Sequence, residues 1–302
     1  MRQARRFLKS SQKRQKKLQN RPEARVLSLI RKATQLLSNS GITNATFESE
    51  MILSHILNVE RHMLYTSPPP ITADVEKKFL RLISKRYKHV PVAYILKSAY
   101  FWGYQFKIEP GVFIPRPETE TIIVAATELI NNPEAKINIL DVCTGCGVLA
   151  IVLAKVFPES VIFATDISQR AVNLARKNVK CHNLNDRVFI HRANIVSKKI
   201  RKKFSLIVSN PPYLTKEEIR TVSEEVKKEP LSALNGGHDG MRVIRRILKI
   251  ASDLLEKDGF LILEISPWQV KFFQNLEKYG LVLVKVFKDI SGAERVVVLK
   301  PV

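Results

Sequence analysis

Beyond residue 117, short apolar runs alternate with helical patterns, and this alternation restricts the possible folds more than any other feature. Strand-like runs lie at 137–142, 161–165, 188–193, 204–209, 260–265, 281–287 and 294–299. Helical patterns lie at 149–156, 170–182 and 241–255. Since neighbouring parallel strands need a long crossover, usually a helix, the alternation predicts an α/β domain with a mostly parallel sheet. Only six residues, 288–293, separate the last two runs, which we expect to form an antiparallel edge.

The residues before this domain follow other patterns, and a length of 302 residues fits about two domains of ~150 residues. Apolar residues at three- and four-residue steps predict helices over 26–37, from about 47 to 57, and over 75–83. We expect Pro68-Pro69-Pro70 to break the second helix. The pattern therefore predicts a small helical domain over 23–90. Residues 91–116, rich in aromatic and β-branched residues with glycine, predict a β-hairpin linker before the main domain at 117–302.

The chain is strongly basic, with 50 Lys and Arg against 28 Asp and Glu, a net charge of +22. This surplus indicates a polyanionic partner or surroundings but does not bear on the fold. Residues 1–22 carry nine of these cations and no acid, and three interpretations stay open for this basic tail. It is a solvated tail, an arm that contacts nucleic acid or the ribosome, or an organelle transit segment. With 45% hydrophobic residues and no apolar stretch of ~18 residues, a disordered or membrane-spanning chain is not expected.

A turn of small residues follows the first predicted strand, with the sequence Asp141-Val-Cys-Thr-Gly-Cys-Gly147. Gly145 and Gly147 allow a ligand to approach the backbone, and the following helix presents free N–H groups. Asp166 ends the next predicted strand, where a carboxylate can accept both hydroxyls of a ribose. Turn and acid together indicate an adenosine-containing cofactor. Because Cys143 replaces the first glycine of G-x-G-x-x-G and no Gly-Lys-Ser/Thr follows, we do not expect a dinucleotide or NTP site.

The chain has three cysteines, Cys143, Cys146 and Cys181, too few for a disulfide framework. The first two form a C-x-x-C, for which a redox or metal role is the alternative to a role as small residues in a tight turn. A zinc site needs four ligands, and only Cys181 and His182 are available to complete it. We therefore expect no metal and a reducing compartment. Since residues near the N-terminus contain no apolar core of a signal peptide, we expect the cytoplasm, or an organelle if residues 1–22 are a transit segment.

The tetrapeptide Asn210-Pro211-Pro212-Tyr213 follows the apolar run that ends at Ser209. Two prolines fix the backbone at a strand tip and leave its carbonyls without partners. The side-chain oxygen of Asn210 and the carbonyl of Pro211 can then accept both N–H groups of one planar NH2, with Tyr213 as an aromatic wall. An amide nitrogen is a poor nucleophile because its lone pair is delocalised. Holding both hydrogens and directing the nitrogen at an electrophile overcomes this through orientation and electrostatics.

These motifs together resemble the HemK/PrmC family, the glutamine methyltransferases of class I peptide chain release factors. The resemblance extends over roughly residues 24–300. The matching segments are Pro91–Ile95, Phe113–Glu120, Asp141–Gly147, Asp166, Asn210–Tyr213, Glu229–Leu234, Gly236–Gly240 and Lys288–Arg295. Asn-Pro-Pro-Tyr alone is shared with adenine methyltransferases, whereas the segment Pro115-Arg-Pro-Glu-Thr-Glu120 is more specific. The resemblance implies a Rossmann-like, seven-stranded S-adenosylmethionine-dependent methyltransferase domain behind a small helical domain that docks the substrate.

The resemblance also implies residue roles. The implied cofactor-binding residues are Cys143, Thr144, Gly145, Cys146, Gly147, Asp166, Asn194, Ile195 and Asn210. Many relatives carry an acid and an aromatic residue at 194 and 195, and a glycine at 143. The implied catalytic residues are Asn210 and Pro211, and Pro212, Tyr213 and Phe113 would complete the substrate-binding wall. Two interpretations of Glu229 stay open, a brace of the site and an ordinary loop acid.

The implied reaction is methyl transfer from S-adenosylmethionine to the side-chain amide nitrogen (N5) of the glutamine in the Gly-Gly-Gln loop of a class I release factor. Two alternatives stay open for the acceptor: a glutamine of a ribosomal protein, or an adenine of DNA or RNA. A non-catalytic nucleic-acid-binding protein of the same fold is not expected to keep Asp166 and Asn210–Tyr213, since binding alone does not need them. The implied partner is the release factor, with a ribosome or nucleic-acid contact through the basic tail.

Overall fold

The computed structural model describes residues 22–195 and 202–302. It contains two compact units, which meet along the chain between Leu96 and Lys97. All of the basic tail except Pro22 lies outside the described residues. Among the residues that are described, no helix has the length and apolar character needed to cross a bilayer.

The first unit is helical and has its own apolar core. Its helices are α1 Pro22–Asn39, α2 Ala45–Leu57, α3 Met63–Thr66, α4 Ala73–Tyr87 and α5 Val92–Leu96. The apolar faces of α1, α2 and α4 supply most of the core, including Leu37, Ile52 and Phe79, each fully shielded from solvent. The amphipathic patterns read from the sequence therefore mark the faces that pack together.

Two details of this unit differ from the sequence predictions. Helix α2 is ended by Asn58, which adopts the left-handed conformation (φ 53°) and donates its N–H to the carbonyl of Ser54, rather than by the proline run, which follows α3. Residues 92–96, predicted as part of the hairpin linker, form α5 instead. Helix formation buries Ile95 and Leu96 in the core of the first unit, and this burial outweighs the local preference for an extended chain.

The second unit begins with a β-hairpin, formed by β1 Ser98–Phe101 and β2 Tyr104–Lys107. Trp102 and Gly103 connect the strands, both with positive φ (52° and 75°), the conformation of a tight two-residue hairpin turn. The backbone N–H of Lys107 donates to the side-chain oxygen of Asn178 at 2.8 Å. The predicted hairpin is thus present, beginning at Ser98.

A seven-stranded sheet forms the centre of the second unit. Its strands are β3 Asn138–Val142, β4 Val161–Asp166, β5 Val188–Arg192, β6 Phe204–Ser209, β9 Leu255–Glu264, β10 Leu281–Lys288 and β11 Glu294–Pro301. The strand order is β10-β11-β9-β6-β3-β4-β5, and β3, β4, β5, β6 and β9 pair in parallel. Strand β11 is antiparallel to both of its neighbours. This confirms the predicted seven-stranded, mostly parallel α/β fold with an antiparallel edge pair.

Helices cover the sheet, and the sequence analysis assigns only some of them. After the 3₁₀ turn Pro117–Thr119 come α6 Glu120–Leu129, α7 Val148–Val156 and α8 Gln169–Cys181. A short parallel pair, β7 Leu214–Thr215 and β8 Asn235–Gly237, encloses α9 Lys216–Thr221, the 3₁₀ turn Val226–Lys228 and α10 Leu231–Leu234, and α11 Arg242–Leu254 follows. The 3₁₀ segments Pro267–Gln274 and Glu277–Tyr279 lie between β9 and β10. The sequence analysis leaves α6 without a prediction, since its run Ile122-Ile-Val124 favours strands locally.

The direction of winding reverses at β3. Strands β4 and β5 lie on one side of it, and β6 and β9 lie on the other. In open α/β sheets, ligands bind outside the carboxyl ends of the strands at such a switch point. The fold therefore places the tips of β3, β4 and β6, each followed by one of the predicted motifs, around one crevice.

Candidate active site

The turn after β3 places every second residue in a left-handed backbone conformation. Cys143, Gly145 and Gly147 have φ values of 63°, 58° and 91°. The N–H of Thr144 donates to the carbonyl of Thr165 at the end of β4 (3.0 Å). This bond holds the turn against the neighbouring strand. Cys143 is a non-glycine residue in a region that side chains rarely adopt, which is typical of a constrained functional turn.

Asp141 supports this turn from behind. It is fully buried, and its Oδ2 accepts hydrogen bonds from the Thr144 hydroxyl (2.6 Å) and the backbone N–H of Ala150 (3.2 Å). Its Oδ1 has no hydrogen-bond partner among the described residues. Burial raises the pKa of Asp141 to about 7, although both hydrogen bonds favour the charged form. Asp141 therefore braces the turn and the start of α7 from below.

Asp166 lies at the tip of β4 and is held by two backbone groups. Its Oδ2 accepts the N–H of Gly145 at 2.9 Å, and its Oδ1 accepts the N–H of Ser168 at 2.8 Å. Burial raises the pKa of this carboxyl, while the backbone hydrogen bonds oppose the shift. A carboxylate has about four acceptor sites, so these two bonds leave acceptor capacity for the hydroxyls of a ligand.

Asn194 and Ile195, two of the residues implied to bind the cofactor, follow β5. Ile195 has a φ of 79°, which is a strong outlier for a β-branched residue. Its carbonyl accepts a hydrogen bond from the hydroxyl of Thr165, which lies next to Asp166. The tips of β4 and β5 are thereby joined, and the strained backbone indicates a position held for a purpose other than local stability.

The Asn-Pro-Pro-Tyr segment leaves the tip of β6, which is tied to β3 because the Ser209 hydroxyl donates to the carbonyl of Val142 (2.6 Å). The side-chain nitrogen of Asn210 donates to the hydroxyl oxygen of Thr119 at 2.9 Å. The Tyr213 hydroxyl donates to Glu264 Oε1, also at 2.9 Å. Within the described residues, no hydrogen bond ends on the side-chain oxygen of Asn210 or the carbonyl of Pro211. Both acceptors are therefore available to a ligand.

An ion pair with a buried carboxylate holds the predicted segment at residues 113–120. Arg116 pairs with Glu229, whose side chain is completely buried, and Glu229 Oε2 also accepts the N–H of Ile114 at 3.0 Å. Burial raises the pKa of Glu229, and Arg116 opposes this shift. The Arg116 guanidinium carbon also lies 5.1 Å from the centroid of the Phe113 ring. Of the two interpretations left open for Glu229, the geometry supports the brace.

One cavity of about 500 Å³ unites these segments, a volume within the usual range of small-molecule sites. Of the predicted site residues, those that line it are Phe113, Cys143, Thr144, Gly145, Cys146, Asp166, Asn194, Ile195, Asn210, Pro211, Pro212 and Tyr213. Gly147 is the exception: it does not line the cavity, because it is the N-cap of α7 and faces Ala175 of α8.

The sequence analysis missed several residues that line or support the cavity. Thr119 lies inside the quoted segment Phe113–Glu120, but nothing local distinguishes its hydroxyl from others. Arg242 and Arg246 line the cavity from α11, and their four-residue spacing on one helix face is the only signal that the sequence offers for them. Glu264, at the end of β9, becomes visible only through its contact with Tyr213.

The cysteines of the turn have the properties of packed thiols. Cys146 is buried, Cys143 is partly buried, and both are free. Burial raises the pKa of Cys146 to about 12 and that of Cys143 further still, so both keep their protons near neutral pH. Over residues 22–195 and 202–302, no three His, Cys, Asp or Glu side chains come together as a metal site would require.

Two family models match this chain. Residues 103–257 match the model described as Methyltransferase small domain, which covers the turn, Asp166 and Asn210–Tyr213. Residues 28–96 match the model described as PrmC N-terminal domain, which coincides with most of the helical unit.

Similar curated proteins extend over most of the chain. A protein of Thermodesulfovibrio yellowstonii named release factor glutamine methyltransferase is 37% identical over 258 residues, 84% of this chain and 91% of that protein. A protein of Clostridium botulinum with the same name is 34% identical over 267 residues, 87% of this chain and 94% of that protein.

Among solved structures, the catalytic domain of hMettl16 in complex with MAT2A 3′UTR hairpin 6 resembles this chain with a TM-score of 0.53. The alignment covers 76% of this chain and 82% of that one, at 15% sequence identity. At this identity the similarity is one of fold alone.

Proposed function

This chain belongs to the HemK/PrmC family of release factor glutamine methyltransferases, and from that premise we propose its substrate and the roles of its site residues. It is an S-adenosylmethionine-dependent methyltransferase. The proposed acceptor is the side-chain amide nitrogen of the glutamine in the Gly-Gly-Gln loop of a class I release factor. The observation that carries this proposal is that Asn210–Tyr213, the turn after β3 and Asp166 all line one cavity.

The residues present fit the cofactor. Asp166 is the one acid among the described residues that line the cavity, and its fixed carboxylate suits the two hydroxyls of a ribose. Residues 143–146 present a backbone close to that carboxylate, and Asn194 and Ile195 line the same cavity. We propose that these residues hold S-adenosylmethionine, which supplies an electrophilic methyl group on a positively charged sulfur. The proposal for Gly147 changes to a supporting role, because it lies outside the cavity lining.

The acceptor side of the cavity suits a planar amide. The free oxygens of Asn210 and Pro211 can accept the two hydrogens of one NH2 group, so that the nitrogen is held in a single orientation. Phe113 and Tyr213 contribute aromatic surface to the same cavity. Fixing the orientation of a weakly nucleophilic amide nitrogen is a large part of what such a site can contribute to the rate. The proton leaves the amide after transfer, so the site needs no general base, and we assign none.

We propose that the helical unit docks the release factor. The match to the PrmC N-terminal domain over residues 28–96 supports this role. The unit also carries large side chains that are about half exposed, among them Phe47, Tyr65 and Tyr87. For the basic tail we propose contact with the ribosome or nucleic acid, and for the protein as a whole the reducing environment of the cytoplasm, or of an organelle if the tail is a transit segment.

Methylation with labelled S-adenosylmethionine tests the proposed acceptor. The substrates compared are a release factor, the same factor with its loop glutamine changed to alanine, ribosomal protein, and nucleic acid. We expect label in the unaltered release factor only. The variant Asn210→Ala should lose turnover by roughly 100-fold or more, because the amide is no longer oriented, while its cofactor affinity stays near wild type. Label in nucleic acid alone, or full activity of Asn210→Ala, contradicts the proposal.

A further inference from the structure

Glu264 is a buried carboxyl group for which the proposed reaction has no direct use. It is 1% exposed and ends β9, next to the tip of β6. Its Oε1 accepts the hydroxyl of Tyr213, and no hydrogen bond within the described residues ends on its Oε2. The described salt bridges also leave it without a direct cationic partner. A buried and incompletely satisfied carboxyl destabilises a fold, so its presence behind the Asn-Pro-Pro-Tyr segment needs a reason.

Thr119 connects this carboxyl to Asn210. It is 2% exposed, and its hydroxyl oxygen accepts the hydrogen bond from the Asn210 side chain. The Thr119 side chain lies close enough to Glu264 to favour the ionised form of that carboxyl, and the Tyr213 hydroxyl has the same effect. Glu264 is therefore in contact with the Tyr213 hydroxyl and near the Thr119 hydroxyl, which itself accepts the Asn210 side chain.

The charge of Glu264 determines which of the neighbouring polar groups donate hydrogen bonds and which accept them. An ionised carboxylate only accepts hydrogen bonds, so a hydroxyl facing it presents its hydrogen to the carboxylate and its lone pairs elsewhere. The lone pairs of Thr119 then accept only the nitrogen end of the Asn210 amide. The oxygen of Asn210 is consequently left for the cavity, as the acceptance of a substrate NH2 group requires. A protonated Glu264 can donate instead and removes this preference.

We infer that Glu264 and Thr119 are positioning residues: they hold the Asn210 amide with its oxygen free to accept the substrate amide. This inference rests on the proposed function and adds to it the residues that orient the catalytic asparagine. Neither side chain is required to touch the methyl donor. Tyr213 donates its hydroxyl hydrogen to Glu264, so that Glu264 also fixes the last residue of the Asn-Pro-Pro-Tyr segment.

The groups around Glu264 define its expected titration. Burial raises the pKa of Glu264 above its ordinary value, and the nearby Glu118 adds to this shift, whereas Thr119, Tyr213 and Arg295 oppose it. If the ionised form orients Asn210, kcat rises with pH through the raised pKa of Glu264. A merely structural role predicts no such dependence on these two residues.

The test compares kcat, KM for the release factor and the pH profile of Thr119→Val, Thr119→Ser and Glu264→Gln. Valine has nearly the shape of threonine without the hydroxyl, so we expect kcat to fall roughly 10- to 100-fold through misorientation of Asn210. Serine restores the hydroxyl and should restore most of the rate. Cofactor affinity, measured by titration calorimetry, should stay unchanged in all three variants. The part of the acid limb of the kcat profile that Glu264 causes should disappear in Thr119→Val and in Glu264→Gln, whereas any part caused by Asp141, Asp166 or Glu229 stays.

Thr127→Val serves as the matched control, because its hydroxyl caps only its own helix, bonding to the carbonyl of Val124 on the exposed face of α6. A Thr119→Val enzyme with wild-type kcat overturns the inference, and so does a Glu264→Gln enzyme that keeps the wild-type pH profile. If Thr119→Val does not fold, Thr119→Ser and Glu264→Gln decide by the same criteria. Absence of label in the release factor with the wild-type enzyme is a separate outcome, which contradicts the proposed function itself.

Discussion

Gly145 and Gly147 lie two residues apart in one turn, and the structure assigns them different tasks. Both have positive φ, 58° and 91°. A Cβ at Gly145 would meet nothing within 4 Å, whereas a Cβ at Gly147 would lie 3.2 Å from the Cβ of Ala175. Gly145 lines the cavity and Gly147 does not. The first glycine therefore leaves room for a ligand, and the second allows α7 and α8 to approach each other.

The two glycines should respond differently to alanine. Gly147→Ala combines a left-handed conformation with a close contact to α8, so we expect it to lower the free energy of unfolding by about 1–3 kcal/mol. Gly145→Ala adds only the conformational cost of about 1 kcal/mol but should weaken cofactor binding. Urea unfolding and calorimetric titration measure the two effects. Equal stability of Gly147→Ala and the wild type would contradict both the conformational cost and the close contact with α8.

At the scale of elements, the hairpin of β10 and β11 is organised by one carboxylate at its tip. Asp289 accepts hydrogen bonds from the N–H groups of Ser291 (2.9 Å) and Ala293 (3.1 Å), from the Ser291 hydroxyl (2.5 Å) and from Arg295 Nε (3.0 Å). Arg295 also donates to the carbonyl of Ile265, just beyond β9. The motif Lys288–Arg295 thus has a structural explanation: it ties the antiparallel edge to the strand that carries Glu264.

The titration of Asp289 makes this role measurable. Burial alone would raise the pKa of Asp289, but hydrogen bonds from Ser291, Arg295 and the backbone lower it to about 2. Because the folded-state pKa lies below the unfolded value of about 3.9, the stabilisation is fully present above that value and is lost as pH falls through about 2. Asp289→Asn should therefore lower the unfolding free energy by about 1–3 kcal/mol at neutral pH.

Urea unfolding at pH 7 and at pH 3 tests this expectation. The difference between wild type and Asp289→Asn should shrink at the lower pH, since the wild-type carboxylate begins to lose its advantage there. Asp186→Asn, at an exposed position before β5, serves as the control and should match the wild type at both pH values. A deficit of Asp289→Asn that does not depend on pH contradicts the hydrogen-bonded carboxylate as its cause.

At the scale of the whole molecule, a large share of the positive charge lies apart from the catalytic chemistry along the chain. Nine of the 22 excess charges belong to residues 1–22, which leaves thirteen for the rest of the chain. The cavity lies in the second unit, and its lining residues run from Gly111 to Arg246. The charge that first indicates a nucleic-acid partner is thus compatible with an enzyme whose proposed acceptor is a protein amide.

Removal of residues 1–21 tests this separation. We expect kcat on an isolated release factor to stay unchanged, while affinity for RNA falls and its dependence on salt becomes shallower, because fewer phosphate contacts release counterions. RNA binding measured over a series of KCl concentrations gives the slope of log affinity against log salt concentration. A variant with the nine tail cations changed to glutamine separates charge from length. A truncated enzyme that loses kcat on the release factor contradicts the assignment of the tail as an accessory segment.

Agreement between sequence and structure is closest where the signal is local. The run ending at Ser209, followed by two prolines, predicts a strand tip, and β6 ends at that residue. Helix α6 had no such signal, since its β-branched run favours a strand locally while packing of Ala125 and Ala126 favours a helix. The sequence predicts residues 92–96 as linker for a similar reason, since α5 is stabilised by contacts in the core of the first unit.

The amino-acid sequence by itself determined the fold class, the family and the segments that surround the cavity, because periodicity, glycine turns and prolines act over a few neighbouring residues. Only the tertiary structure decided which side chains support those segments. Thr119 meets Asn210 across 91 positions of the chain, and Glu229 meets Arg116 across 113. Such partners are selected by burial, since a polar group removed from water must find whichever complementary group the fold places beside it. The strand order of the sheet, in which β6, β3 and β4 are neighbours, determines which groups lie beside one another at the site.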